Sequence, residues 1–289
     1  MSSYANAEPM RRDLGLRAIR RQCSSPKQGM QGGAFYFIAN LTPRDIEGDV
    51  TLAVPFKGAT WFNPMNGDIT PAAIHDGRLH IALRSGESRI LQTSAYPTPS
   101  VAHVSQENQR LTLHGPWTLR FIEEAPRVEG IFTLPKPQTW ESLSDSAAVT
   151  MGTGIYTTTF RLTRQQAKQH WMIDLGDVRE SARVYVNGQF LGCAWAVPFV
   201  LDCRDALRKG RNELRIEVTN LPANRIRDLD RKGYKWRKFN EINVVDIDYK
   251  HTTYEDWEPV KSGLNAEVFL FSTRLVTPMA PVGQTMRQR

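Results

Sequence analysis

The chain predicts an all-β fold of two antiparallel sandwiches, a small one followed by one of jelly-roll size. Three observations carry this. Short alternating segments recur between turn signals, no long amphipathic helical stripe appears, and a Pro/Ser-rich break near residue 95 divides the strands into two blocks.

The first block, 30–96, begins with "AFYFIANLT" (34–42), which alternates and is rich in aromatics. "GDVTLAVPF" (48–56) alternates again, and "GATWFNPMNGDIT" (58–70) carries a turn at Asn66-Gly67-Asp68. "GRLHIAL" (77–83) and "ESRILQTS" (87–94) follow, joined by Arg84-Ser85-Gly86. Short strands at this spacing make a small antiparallel sandwich. "AYPTPSVAH" (95–103) has no period and reads as a linker.

The second block, 104–275, opens with "LTLHGPWTLRF" (111–121) and "GIYTTTFRLT" (154–163). "HWMIDLG" (170–176), "PFVLDC" (198–203), "NELRIEVTN" (212–220) and "LNAEVFLFS" (264–272) complete its strands. Between them, "SARVYVNGQFLGCAW" (181–195) is a hairpin in which Asn187-Gly188 supplies the positive φ angles of a type I′ turn. Arg164 to Gln169 and Asp205 to Lys209 are long enough only for single helical turns. Residues 1–29 form a basic lead-in and 276–289 a tail.

Composition narrows the function. At 40% hydrophobic and 23% charged, the 289 residues are those of a folded globular chain. No apolar run reaches the roughly 18–20 residues of a helical membrane span, so no membrane partner is expected. The net charge of +7 permits acidic partners, nucleic acid or uronic-acid polymers, without choosing between them. Met1–Met10 lacks the apolar core of a signal peptide. Cys23, Cys193 and Cys203 form no CxxC and imply no zinc site; Cys193 and Cys203 are expected to be small buried thiols, with pairing across strands the alternative. There is no GxGxxG, no GxxxxGK[ST] and no GxSxG. The six histidines show no metal-ligand spacing, and His80 and His170 read as ordinary strand residues.

One stretch is unusual for a connection, "LPANRIRDLDRKGYKWRKFNEINVVDIDYKHTTYEDWEPVKSG" (221–263). Connections of this length are functional or disordered, and Tyr234, Trp236, Phe239, Tyr249, Tyr254 and Trp257 argue against disorder. Four readings compete. The aromatics stack on sugar rings while Asn, Asp and Arg bond hydroxyls. Or the basic and aromatic residues bind single-stranded nucleic acid, a reading that the interleaved acids oppose. Or Asp246 and Asp248 hold a calcium ion through hard oxygen ligands. Or the segment packs over the sandwich and its charges pair among themselves. A catalytic carboxylate pair for glycosidic cleavage would have to face each other about 5–9 Å apart across a substrate, which a single surface segment does not supply.

The second block resembles the galactose-binding-like jelly roll of glycoside hydrolases, the sugar-binding domain of family 2 enzymes. "HGPWTLRF" (114–121), "TWESLSD" (139–145), "GTGIYTTTF" (152–160), "LGDVRESARVYVNG" (175–188), "NLPANRIRDLDRKG" (220–233) and "SGLNAEVFL" (262–270) carry the resemblance. More closely, it is similar to the C-terminal part of family 106, the α-L-rhamnosidases. In the first block "GLRAIRR", "WFNPMNGDIT" and "LRSGESRILQTS" resemble the small β domain that follows the catalytic barrel there. The resemblance implies that catalytic carboxylates lie on a barrel that this chain does not supply, so no catalytic residue is assigned. It implies a periplasmic or secreted setting. It makes the chain a carbohydrate-associated portion of a rhamnosidase-like hydrolase, with a plant-type polysaccharide or oligosaccharide as ligand. A structural module packing on a barrel from another chain is the alternative. The candidate carbohydrate contacts are Trp195, Asn224, Arg225, Asp228, Tyr234 and Trp236, and the candidate calcium ligands Asp246 and Asp248.

Overall fold

A computed structural model describes residues 16–22, 33–52, 54–98, 103–203, 205–237 and 252–276. They divide into two compact units, one within Met1–Gln106 and Arg274–Arg289, the other Glu107–Thr273. Both are built from antiparallel strands.

The first unit has a five-stranded sheet in the order β1 (Leu16–Gln22), β2 (Ala34–Asn40), β8 (Ser88–Ser94), β4 (Gly58–Phe62), β5 (Ile69–Pro71). A three-stranded sheet joins β3 (Ile46–Val50), β7 (Arg78–Leu83) and β6 (Ile74–His75) in that order. Alternation decides which face is buried. On β2, Ala34, Tyr36 and Ile38 point inward; on β7, Leu79, Ile81 and Leu83 do so while Arg78, His80 and Ala82 point out. Each large apolar side chain taken out of water here contributes about 1.5–3 kcal/mol.

Two strands differ from their sequence expectation. The basic lead-in contributes β1, which pairs with β2 from Leu16↔Asn40 to Gln22↔Ala34. Among the described strands β1 is an edge of this sheet. The strand expected over 48–56 instead runs Ile46–Val50, and Pro55, which has no N–H to give a ladder, lies beyond its end.

The second unit is a sandwich. Its larger sheet runs β11 (Phe132–Leu134), β10 (Trp117–Ala125), β12 (Met151–Leu162), β18 (Gly210–Thr219), β15 (Ser181–Val186), β16 (Gln189–Ala194). The smaller runs β17 (Val200–Asp202), β13 (His170–Asp174), β20 (Phe269–Val276), β9 (His103–Thr112). β14 (Val178–Arg179) pairs with β19 (Gly263–Leu264). Trp117, Leu119 and Ile216 of one sheet share a core with Trp171, Ile173 and Leu270 of the other. The long ladder β12–β18 is unbroken from Thr153↔Thr219 to Leu162↔Gly210.

The β15–β16 hairpin turns as expected, with φ of 52° at Asn187 and 83° at Gly188. Asn187 does more than turn the chain. Its Nδ2 donates to Ala206 O at 2.7 Å and Asn212 Oδ1 at 2.8 Å, while its Oδ1 accepts from Glu213 N at 3.0 Å. The hairpin is scaffold. Of the two cysteines, Cys203 is buried and donates its thiol to Trp171 O at 3.1 Å, and burial pushes that thiol's pKa up. Cys193 is exposed and unpaired, because its strand β16 is the sheet edge.

At the centre of the second unit, Trp140 and Tyr156 are fully buried and bonded to each other, indole Nε1 donating to the phenol oxygen at 2.8 Å. Leu264 N donates to the same oxygen at 3.2 Å. Gly263 passes so close that a Cβ there would lie 2.4 Å from both Trp140 Nε1 and the Tyr156 hydroxyl, and its φ is +91°. Desolvation raises the Tyr156 pKa, so the phenol stays neutral at all ordinary pH. Tyr156→Phe leaves two buried donors without an acceptor, each costing ~1–3 kcal/mol, so a loss of about 2–6 kcal/mol is expected in urea unfolding of the chain. A midpoint unchanged from wild type would refute this tie.

Candidate functional site

The segment 221–263 is not a bare connection. It opens with helix α2 (Ala223–Arg231), following a short α1 (Asp145–Val149) earlier in the chain. Pro222 suits the entry to a helix, and Gly233, at φ +67°, ends it. Gly233 N donates to Asp230 O and Tyr234 N to Leu229 O, which closes the last turn.

Asn224 docks this helix on the sandwich. Its Nδ2 donates to Val260 O at 2.8 Å and Glu141 Oε1 at 3.3 Å, and its Oδ1 accepts from Val260 N at 2.9 Å. The side chain thus pairs with a backbone as another strand would. Glu141 Oε2 accepts from Ser262 N at 3.3 Å, and Asn220 Nδ2 donates to Ser262 Oγ at 3.1 Å. These bonds fix where the chain leaves α2 and where it returns.

Asp228 is 9% exposed and is neutralised from two sides, by Arg225 Nη1 at 2.8 Å and Lys232 Nζ at 2.8 Å. Two cations on one nearly buried carboxylate satisfy it locally. One turn on, Asp230 accepts from Trp236 Nε1 at 2.6 Å and from Tyr254 N at 2.8 Å. This carboxylate joins the chain after α2 to the returning segment. Arg231 Nε adds a bond to Glu255 O at 2.9 Å, and Arg237 Nη2 donates to Thr252 O.

The result is an aromatic surface. Tyr254 lies between Trp236, at 6.3 Å between centroids, and Trp257, at 4.3 Å. The Arg237 guanidinium is 5.1 Å from the Trp236 ring centre and 5.3 Å from that of Tyr254. Tyr234 is 64% exposed and Trp257 46%, while Trp236 and Tyr254 are half-buried. Exposed rings beside charged donors and acceptors offer both stacking faces and hydrogen bonds.

Set against the expected contacts, the structure divides them. Tyr234 and Trp236 belong to this surface. Asn224, Arg225 and Asp228 lie on α2, their polar atoms engaged with one another, with Glu141 and Lys232, or with backbone. Trp195 is 60% exposed. The pairings Ala182↔Ala194 and Ala182↔Val218 put Trp195 at the same end of the sheet as Asn220, the residue that leads into α2. Asp246 and Asp248 lie outside the described residues.

Sequence reasoning did not single out Asp230, Arg237, Tyr254 or Trp257 from their neighbours. An Asp six residues before a Trp, in a segment closing on itself, was the available signal. It also found no metal spacing among the histidines, yet His75 and His80 meet at Asp49, because a two-residue turn brings residues five apart onto one face.

Part of this arrangement is similar to a known family. Residues 134–263 match the family described as glycosyl hydrolase 2 galactose-binding domain-like. That span includes Trp140, Tyr156, Trp195, α2 and the aromatic surface. A protein of Formosa agariphila that carries a beta-glucuronidase name is 27% identical over 162 residues, 52% of this chain and 14% of its own length. The rhamnosidase from Novosphingobium sp. PP1Y shares the fold over 93% of this chain, with a TM-score of 0.66 and 21% identity. The chain spans only 24% of that rhamnosidase.

The clamp at Asp230 has a pH signature. Its burial opposes ionisation, but the bonds from Trp236 and Tyr254 N and the nearby Arg237 outweigh it and hold the carboxyl below its ordinary value. A lowered folded value means that the clamp's contribution is complete above the ordinary carboxylate range. It is lost as pH falls through the lowered value. Tryptophan emission should shift red in that acid range before the far-UV dichroism changes, and Asp230→Asn should show the shifted emission already at neutral pH. Identical emission from both proteins across the range would contradict the clamp.

Proposed function

We propose that the second unit is a non-catalytic carbohydrate-contacting part of a rhamnosidase-like glycoside hydrolase, and that it meets sugar on the surface carried by α2 and residues 234–237 and 252–257. The single observation behind this reading is the partly exposed cluster of Trp236, Tyr254 and Trp257, with the exposed Tyr234 on the same segment, held by Asp230 and flanked by Arg237. The CH-rich face of a pyranose packs on such rings, and its hydroxyls bond the charged groups at their edge.

Within this reading Tyr234, Trp236 and Trp257 stack, Arg237 bonds hydroxyl or carboxylate, and Trp195 reaches the ligand from the edge strand. Asn224, Arg225 and Asp228 position the platform and do not touch sugar. The net charge of +7 supports a ligand containing uronic acid, as plant-type polysaccharides do. Asp246 and Asp248 enter the proposal as calcium ligands.

Calorimetric titration with L-rhamnose, galactose and rhamnogalacturonan oligosaccharides, with calcium and then with chelator, tests this. Saturable heat is expected from one of them. Trp236→Ala should weaken that binding about tenfold or more, equivalent to ~1.4 kcal/mol, with the far-UV dichroism unchanged. Absence of heat from every sugar, in protein shown to be folded, would leave a structural module that packs on a barrel supplied by another chain. Loss of heat on chelation would bring in Asp246 and Asp248.

A further inference from the structure

The first unit carries a constellation that the sugar surface does not use. On its three-stranded sheet, Asp49 of β3 stands directly opposite His80 of β7. β6 and β7 are joined by Asp76-Gly77, with φ of 50° and 74°. His75 therefore pairs with Arg78, and His80 N bonds Ala73 O across the hairpin. His75 is two residues from Ala73 and Glu47 two from Asp49, so Glu47, Asp49, His75 and His80 share one face. The other face holds Leu79, Ile81 and Leu83, all buried. The four polar side chains thus stand on a rigid sheet and not on a loop.

Their atoms converge. His80 Nδ1 is 2.8 Å from Asp49 Oδ1 and His75 Nδ1 is 3.4 Å from the same oxygen. One ligand atom from each of the three residues lies within 4.8 Å of the others. His80 Nε2, the nitrogen turned away from Asp49, is 3.6 Å from Glu47 Oε1. Arg78 Nη2 donates to the Asp49 backbone oxygen at 2.7 Å, which leaves the carboxylate to the histidines.

We propose that this face binds one divalent transition-metal ion of the zinc class through Nδ1 of His75, Nδ1 of His80 and a carboxylate oxygen of Asp49. Zinc–nitrogen and zinc–oxygen bonds of about 2.0–2.1 Å at tetrahedral angles set donor atoms about 3.4 Å apart. The His75–Asp49 separation of 3.4 Å already meets this. The His80–Asp49 contact of 2.8 Å must open by about 0.6 Å as the shared proton leaves and the ion enters. Two imidazoles and one carboxylate suit zinc, nickel or copper and not calcium, which takes oxygen donors. Glu47 would accept from the outer N–H of His80, as carboxylates do behind metal-bound histidines. Water fills the remaining positions, since His75 faces solvent with 57% of its side chain exposed.

Zinc titration of the full chain by calorimetry tests the site, in a Cys193→Ser background that removes the exposed thiol. One ion per chain is expected. His75→Gln and His80→Gln should each weaken binding at least tenfold, and Glu47→Gln by about tenfold, the usual effect of losing such a support. All of these side chains lie on the outer face, and far-UV dichroism verifies folding. Added cobalt should give visible absorption in the parent protein that the double histidine variant lacks. No saturable heat from zinc, or heat and cobalt colour that survive in the double variant, would overturn the proposal.

Discussion

The hydroxyl of Tyr156 is the point on which the second unit depends. It accepts from the Trp140 indole and from the Leu264 amide, so one buried oxygen joins three pieces of chain distant in sequence. Gly263 lies against both rings and allows the return strand to come this near. Burying a phenol and an indole is favourable only if their polar atoms find partners, and here each is the other's partner. Everything at this end of the sandwich follows from the bond. Trp140 N bonds Ser262 O, Ser262 Oγ accepts from Asn220, and Asn220 Oδ1 accepts from Gly152 N. The exit to α2 and the return from it are set by the same network.

This arrangement explains how the described parts of a long connection, 221–237 and 252–263, are held. Its ends are fixed by Asn220 and Ser262, its helix is docked by Asn224, and its distal part is drawn back by Asp230. Each clamp is a side chain serving backbone groups that would otherwise be exposed or unpaired. Trp236 is itself part of the Asp230 clamp, while Tyr234 and Trp257 stand more exposed beside it.

Much of the architecture was legible in the sequence because strands announce themselves by a period of two. Tyr36/Ile38, Leu79/Ile81 and Val184/Val186 alternate as the pleat requires, and Asn187-Gly188 names its own turn. The helix α2 was not legible. Its nine residues are mostly charged, with a short apolar row of Ala223, Ile226 and Leu229, and Asn224 ties it to Val260 and Glu141, contacts 36 and 83 residues away. Arg225 and Asp228 looked like ligand groups for the same reason: a sequence shows charge but not the partner that neutralises it. Asp49, His75 and His80 escaped notice because metal spacings are usually read along a helix or loop, whereas here they form across strands.

The register of β12 and β18 has a further consequence. The ladder runs unbroken to Thr153↔Thr219, and past that pair the chain is occupied with turns, α2 and the segment after Ala194. Residues added or removed between Arg237 and Thr252 leave the β12–β18 register as it is. Doubling the length of such a segment costs only about 0.6 kcal/mol in closure entropy. The tip of that connection can therefore change in length for a different ligand, while Asn220, Asn224 and Ser262 keep its ends in place.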